Sequence, residues 1–74
     1  MLEHEQRVVD ECTELEAKID KLIDFMHRDI YPTLFAVDQG MLMVQLSHMK
    51  SYASVLRDRI ERFDRNGKAL QPFT

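Results

Sequence analysis

One cysteine, three histidines and a dense set of carboxylates are the groups in this chain whose chemistry could amount to catalysis or metal binding. Their spacing argues against both. Cys12 falls in a stripe with Val8, Leu15, Ile19, Leu22 and Met26, which marks it as a small buried hydrophobe. A nucleophilic thiolate would need a partly exposed setting with a base beside it. His4, His27 and His48 do not fall into a metal-ligand spacing. Asp24-x-x-His27 has the i,i+3 spacing of half a carboxylate-bridged di-iron site, without the glutamate partners that such a site needs. Placed at the end of a helix, His27 suits the negative end of the helix dipole instead. There is no glycine-rich phosphate loop, no HExxH and no Ser/His/Asp arrangement in a recognisable context. The carboxylates of the first third read as a solvated helix face. No catalytic residue, metal or cofactor is expected.

Binding chemistry is better represented. Arg57, Arg59, Arg62, Arg65 and Lys68 crowd one stretch. They could pair with acids on a neighbouring helix and favour a helix C-terminus, or offer guanidinium forks to phosphate. Gln45, His48, Lys50 and Tyr52 lie just upstream, and Tyr31 stands between the two halves of the chain. A tyrosine ring can stack a base while a cation holds its phosphate, although tyrosines at helical spacing also serve packing alone. The candidate ligand-binding set is therefore Tyr31, Lys50, Tyr52, Arg57 and Arg59.

The elements that position these residues follow from hydrophobic periodicity. The stripe from Val8 to Met26 is spaced 4, 3, 4, 3, 4. Leu42, Leu46, Met49, Ala53, Leu56, Ile60 and Phe63 repeat the rhythm as 4, 3, 4, 3, 4, 3. Both are heptad a/d patterns, which predict helices with coiled-coil-like seams at about 3–28 and 36–65. Glu14–Lys18, Asp24–Arg28, Asp58–Arg62 and Glu61–Arg65 are i,i+4 pairs in the favoured order. Pro32 pushes Tyr31 out of helical geometry, so a connection is predicted at 29–35, with Thr33 as N-cap of the second helix. Gly40 weakens the start of that helix by roughly 1 kcal/mol relative to alanine. Asn66-Gly67 reads as a helix stop, with a short tail over 66–74 whose Leu70 and Phe73 could dock on a neighbour.

A short connection makes the helices antiparallel, and charge agrees. Residues 1–29 hold nine acids and four bases, whereas residues 47–68 hold three acids and six bases. The expected fold is all-α, an antiparallel two-helix hairpin. Val9, Ile23 and Phe25 lie off the first seam, as do Met41, Met43, Val44, Tyr52 and Val55 off the second. A lone hairpin would leave them in water and could hardly offset roughly 1.5 kcal/mol of ordering entropy per residue. Assembly into a helical-bundle homo-oligomer answers both difficulties.

Size and composition set the outer limits. The chain has 74 residues, 45% hydrophobic and 31% charged, with a net charge of −3. That is one small domain, too acidic for general nucleic-acid binding, lacking a membrane-length apolar run and lacking cysteines for a disulfide framework.

Two stretches carry a resemblance. Gln6-Arg7-Val8-Val9-Asp10-Glu11, followed by Glu14-Leu15-x-x-Lys18-Ile19-x-Lys21-Leu22-x-x-Phe25, resembles the first helix of a widespread small phage protein family named after a protein of a crAss-like phage. Asp38-Gln39-x-x-Leu42, followed by Gln45-Leu46-x-x-Met49-x-x-Tyr52-x-x-Val55-Leu56-x-x-Arg59-Ile60, resembles its second helix, so that the likeness spans roughly residues 5–63. The connection departs from it, with Tyr31-Pro32-Thr33-Leu34 where members carry a polar, glutamate-containing turn. The resemblance implies a phage origin, a helical hairpin and a place in the host bacterial cytoplasm, and it brings no catalytic site. A phage origin in turn suggests a counter-defence accessory protein, by analogy rather than from fold. The leading expectation is a sponge for a cyclic or ADP-ribose-type nucleotide signal. The alternatives are an inhibitor directed at a host protein and an assembly helper in virion production.

Overall fold

The computed structural model describes residues 2–66, with side chains as far as Phe63. Helix α1 spans Glu3–Met26 and helix α2 spans Ala36–Asn66, with a single 3-10 turn at Tyr31–Thr33 between them. The expected tail and its Leu70 and Phe73 lie outside the described residues.

The helices pack along the two predicted seams. Val8 and Cys12 of α1 meet Leu56 and Phe63 of α2, and Leu15 and Ile60 close the edges of this cluster. Ala53 and Leu56 are fully buried. The pairing of an early α1 residue with a late α2 residue is the antiparallel arrangement that the charge distribution favours. Arg57 of α2 bonds Glu16 of α1 at 2.6 Å, and the hydroxyl of Tyr52 donates to Glu11. Basic and aromatic residues of the second helix thus meet acids of the first.

Local signals explain the helix ends. At the start of α1, the backbone N–H of Leu2 donates to the Glu5 carboxylate at 3.2 Å, satisfying one of the donors that a helix N-terminus leaves open. At its end His27 is the C-cap, with Nδ1 2.8 Å from the Ile23 carbonyl. That contact draws α1 to a close at Met26, two residues before the predicted boundary. Among the expected i,i+4 pairs Asp24–Arg28 forms at 3.2 Å. Glu14–Lys18 and Asp58–Arg62 do not close among the described side chains, and Arg7 instead reaches back to Glu3. Pairs as exposed as these contribute ~0–1 kcal/mol, so their exchange changes little.

Thr33 is not the N-cap of α2. It ends the 3-10 turn, and its hydroxyl donates back to the Ile30 carbonyl at 2.5 Å. Gln39 secures this segment instead, its Nε2 donating to the carbonyls of Leu34 at 2.8 Å and Pro32 at 3.4 Å. Tyr31 adds a hydroxyl bond to the Gln39 carbonyl at 3.2 Å. Gln39→Ala is expected to cost about 1 kcal/mol, read as a lower urea midpoint at unchanged helical content. An unchanged midpoint would show that the turn stands without it.

Candidate functional site

Helical geometry divides the five candidate residues among three places. Lys50 and Arg57 are seven positions apart, as are Tyr52 and Arg59, so each pair shares a face. At 100° per residue the two pairs lie on opposite flanks of the α2 seam. Tyr31 belongs to neither. Within one protomer, base-stacking and phosphate-binding residues do not converge on a single pocket.

Lys50 and Arg57 border a groove between the helices, together with Glu16, Asp20, Ile19 and Ala53. Two carboxylates stand against two cations there, and Arg57 is already engaged by Glu16. A phosphate entering this groove would have to displace a charge-assisted bond. Ion pairing with α1 therefore occupies Arg57, one of the two roles open to the basic stretch.

Tyr31 is half-buried in the connection. Its ring stands edge-on to Phe25, with centroids 6.2 Å apart and planes at 87°, an arrangement that aromatic quadrupoles favour. With its hydroxyl also bonded to Gln39, it braces the turn.

Tyr52 and Arg59 form the other pair, in which Arg59 is half-buried. The Tyr52 ring remains 44% exposed while its hydroxyl is tied to Glu11. The hydrogen bond to that carboxylate, followed by desolvation and the Glu11 charge, raises the phenol above its ordinary value, with Arg59 opposing. Among the described residues Arg59 makes no ion pair, unlike Arg7, Arg28 and Arg57. An oriented ring with a cation one heptad away suits a base bearing a phosphate.

The structure adds a feature that the sequence argument passed over. Val37, Gly40, Met41, Val44, Gln45 and His48 line an open, apolar cleft on the outer face of α2. The spacing 4, 3, 4 from Val37 to His48 was its available signal. No group of three or more His, Cys, Asp or Glu residues capable of holding a metal occurs among the described residues.

Cys12 is a buried thiol in the seam, 5% exposed. Burial, then the nearby Glu16 charge, raises its pKa above 9.0, and Arg57 opposes this. The native state holds this proton more tightly than the unfolded chain does. The resulting contribution to stability is intact below pH 9.0 and is lost as pH rises through the raised value. The urea midpoint is accordingly expected to fall on the alkaline side, and Cys12→Ala to flatten that fall. An identical alkaline slope in the variant would assign it to other groups, such as Tyr52.

Comparison with known proteins matches the chain over residues 2–62 to the family model described as Sequestin. It is also 40% identical over 63 residues to an uncharacterized 7.5 kDa protein of Enterobacteria phage T4, from the denB-rIIB intergenic region. That alignment covers 85% of this chain and 98% of the phage protein. No solved structure matches. A family model spanning most of both helices, with a phage relative aligned almost from end to end, bears out the expectation of a small phage protein family: the chain belongs to the Sequestin family.

Proposed function

We propose that this chain is a non-catalytic phage accessory protein acting in counter-defence, a sponge that binds a nucleotide-type immune signal where copies of the chain meet. The observation that carries this reading is the exposed, oriented ring of Tyr52 beside Arg59, a cation without an ion-pair partner among the described residues. Stacking of a base on the ring and a guanidinium contact to phosphate would together recognise a cyclic or ADP-ribose-type nucleotide. Arg57 and Tyr31 are engaged within the protomer, Lys50 lies on the flank away from Tyr52, and all three are secondary candidates. The family name, Sequestin, has sequestration in it, and the T4 relative supports a phage setting. The site of action proposed is the host bacterial cytoplasm. No described helix is long and apolar enough to cross a membrane.

Native mass spectrometry of freshly purified protein tests for a retained ligand. With two tyrosines and no tryptophan, a bound base would also raise the ratio of absorbance at 260 to 280 nm. Calorimetry against cyclic dinucleotides and ADP-ribose derivatives then measures affinity. Tyr52→Ala is expected to weaken binding about 10- to 100-fold, the loss of one base–aromatic stack. Failure of the whole panel to bind would reject the sponge.

The apolar cleft on α2 favours a second reading, a protein-directed inhibitor that offers its Met41, Met43 and Val44 surface to a host protein. Recovery of one host protein from lysate, lost in a Met41→Glu variant, would select it over the sponge. Presence of the chain in virions or procapsids would instead favour the assembly helper.

A further inference from the structure

Helix α2 carries two seams, and only one of them is used within the protomer. Val37, Met41, Val44, His48, Ser51 and Val55 are spaced 4, 3, 4, 3, 4, the same heptad rhythm as the seam facing α1. A mean angle of about 220° from Leu42 puts this row on the side turned away from the hairpin core. The four valines and methionines in it are 52–71% exposed. No residue of the row carries a formal charge at neutral pH. Within α1 no large hydrophobic residue is comparably exposed, so the unsatisfied apolar surface is concentrated on one helix.

The cleft on this face has the shape that a second helix requires. Val37, Gly40, Met41 and Val44 are residues i, i+3, i+4 and i+7, the four corners of a hole that receives a knob in coiled-coil packing. Met41, Val44, Gln45 and His48 form the next hole along, and these two sets of four are together the residues that line the cleft. Gly40 belongs to the first. A Cβ added there meets nothing within 4 Å in the protomer, so neither crowding nor the fold of one chain calls for glycine. A glycine in the second turn of α2 that costs roughly 1 kcal/mol relative to alanine is accounted for by a close approach from outside.

We infer that this outer face of α2 is the interface with a second copy of the chain, paired antiparallel so that Val37 lies opposite the partner's Val55. The same register sets Met41 opposite the partner's Ser51 and Val44 opposite the partner's His48, each a pairing of complementary heptad positions. The large Met41 meets the small Ser51 of the partner subunit, and all six seam residues are covered. A shift by one heptad in one direction would set Val37 against the partner's Arg62 and Met41 against the partner's Asp58. A shift in the other would carry Ser51 past the start of the partner helix. Flanked by Tyr52, the strip offers on the order of 500 Å² per copy, enough for the ~1,000 Å² total that separates a specific interface from a casual contact. The protomer's own need is consistent with this, since among the described residues only six hydrophobic ones are buried. The inference deepens the assembly half of the proposed function and does not depend on the ligand. It also sets Tyr52 and Arg59 at the margin of a surface shared by two chains.

The test is register-specific oxidation of ligand-free protein. Val37→Cys and Val55→Cys variants are prepared separately, and both positions are exposed enough in the protomer to leave the hairpin fold unaffected. Mixed and oxidised, they are expected to give a cross-linked pair of twice 8.8 kDa whose peptide map joins position 37 to position 55. Each variant oxidised alone should give little. Cross-links that join 37 to 37 and 55 to 55, with none joining 37 to 55, would mean a parallel pair and would overturn the proposal. So would the absence of any cross-link, the outcome expected if the tail or a host protein covers this face. In native mass spectrometry Val44→Glu is expected to shift the population from dimer to monomer by at least tenfold, with helicity monitored in parallel; a dimer undiminished by this variant overturns the interface. A cross-link at 37–55 alongside an unresponsive nucleotide panel would uphold this inference while rejecting the sponge.

Discussion

Replacing Leu56 with alanine is expected to cost about 3 kcal/mol and to leave much of the chain unfolded at room temperature. Leu56 is the largest side chain with no solvent exposure, and it joins Val8 and Cys12 of α1 to Phe63 of α2. Removing its branched end leaves a void that two helices can close only by tilting, which would strip contacts from Phe63. At ~0.05–0.15 kcal/mol per residue the whole fold is stabilised by only several kcal/mol, so this one loss takes a large share. The check is urea unfolding followed by circular dichroism at fixed protein concentration, because self-association would make the midpoint concentration-dependent. Val55→Ala, one position away but 52% exposed, is the control and is expected to change the protomer little. Similar losses from both would mean that the seam assignment is wrong.

The second large effect has the opposite volume change. Ala53 is fully buried where α1 and α2 run close, and it borders the groove that holds the Arg57–Glu16 pair. Ala53→Leu adds three carbons at a position with no solvent exposure in the seam, at an expected cost of about 2 kcal/mol for overpacking. Higher intrinsic helix propensity does not rescue it, since alanine already exceeds leucine. Displacement of α1 should also break the Arg57–Glu16 bond, so adding Arg57→Ala to Ala53→Leu should cost little more. A fully additive double variant would indicate that the helices accommodate leucine without separating.

The two helices were legible because periodicity and burial are the same fact seen twice. Residues spaced 4, 3, 4 along either stripe must share a face, and Val8, Cys12, Ile19, Ala53, Leu56 and Phe63 are the buried hydrophobic residues among those described. That α1 ends before Tyr31 was legible because Pro32 disfavours α-helical geometry in the residue before it, although Tyr31 enters a 3-10 turn and not an extended segment. Thr33 was misassigned because its hydroxyl can serve a helix start or a 3-10 turn, and only the path of the connection selects between them. The end of α1 moved for a similar reason: His27 bonds the Ile23 carbonyl, a contact that spacing does not reveal.

The candidate site was legible in its residue types and not in its grouping. Lys50, Tyr52, Arg57 and Arg59 lie close in sequence, yet 100° per residue separates them into two flanks. The Arg57–Glu16 and Tyr52–Glu11 contacts then give the flanks different chemistry, one with an interhelical ion pair and one whose arginine has none among the described residues.

By itself, then, the sequence determined that this protein is two amphipathic helices, that they run antiparallel, and that α2 has more apolar surface than one neighbour can cover. A heptad seam cannot determine its own axial register, because sliding one helix by seven residues presents the same stripe again. Tertiary structure removed that degeneracy. The 3-10 turn, braced by Tyr31 against Phe25 and tied down by Gln39, fixes how far along α1 each residue of α2 must fall. That distance decides which acid meets Arg57 and which meets Tyr52, and hence that Tyr52 is held in place while Arg59 makes no ion pair among the described residues.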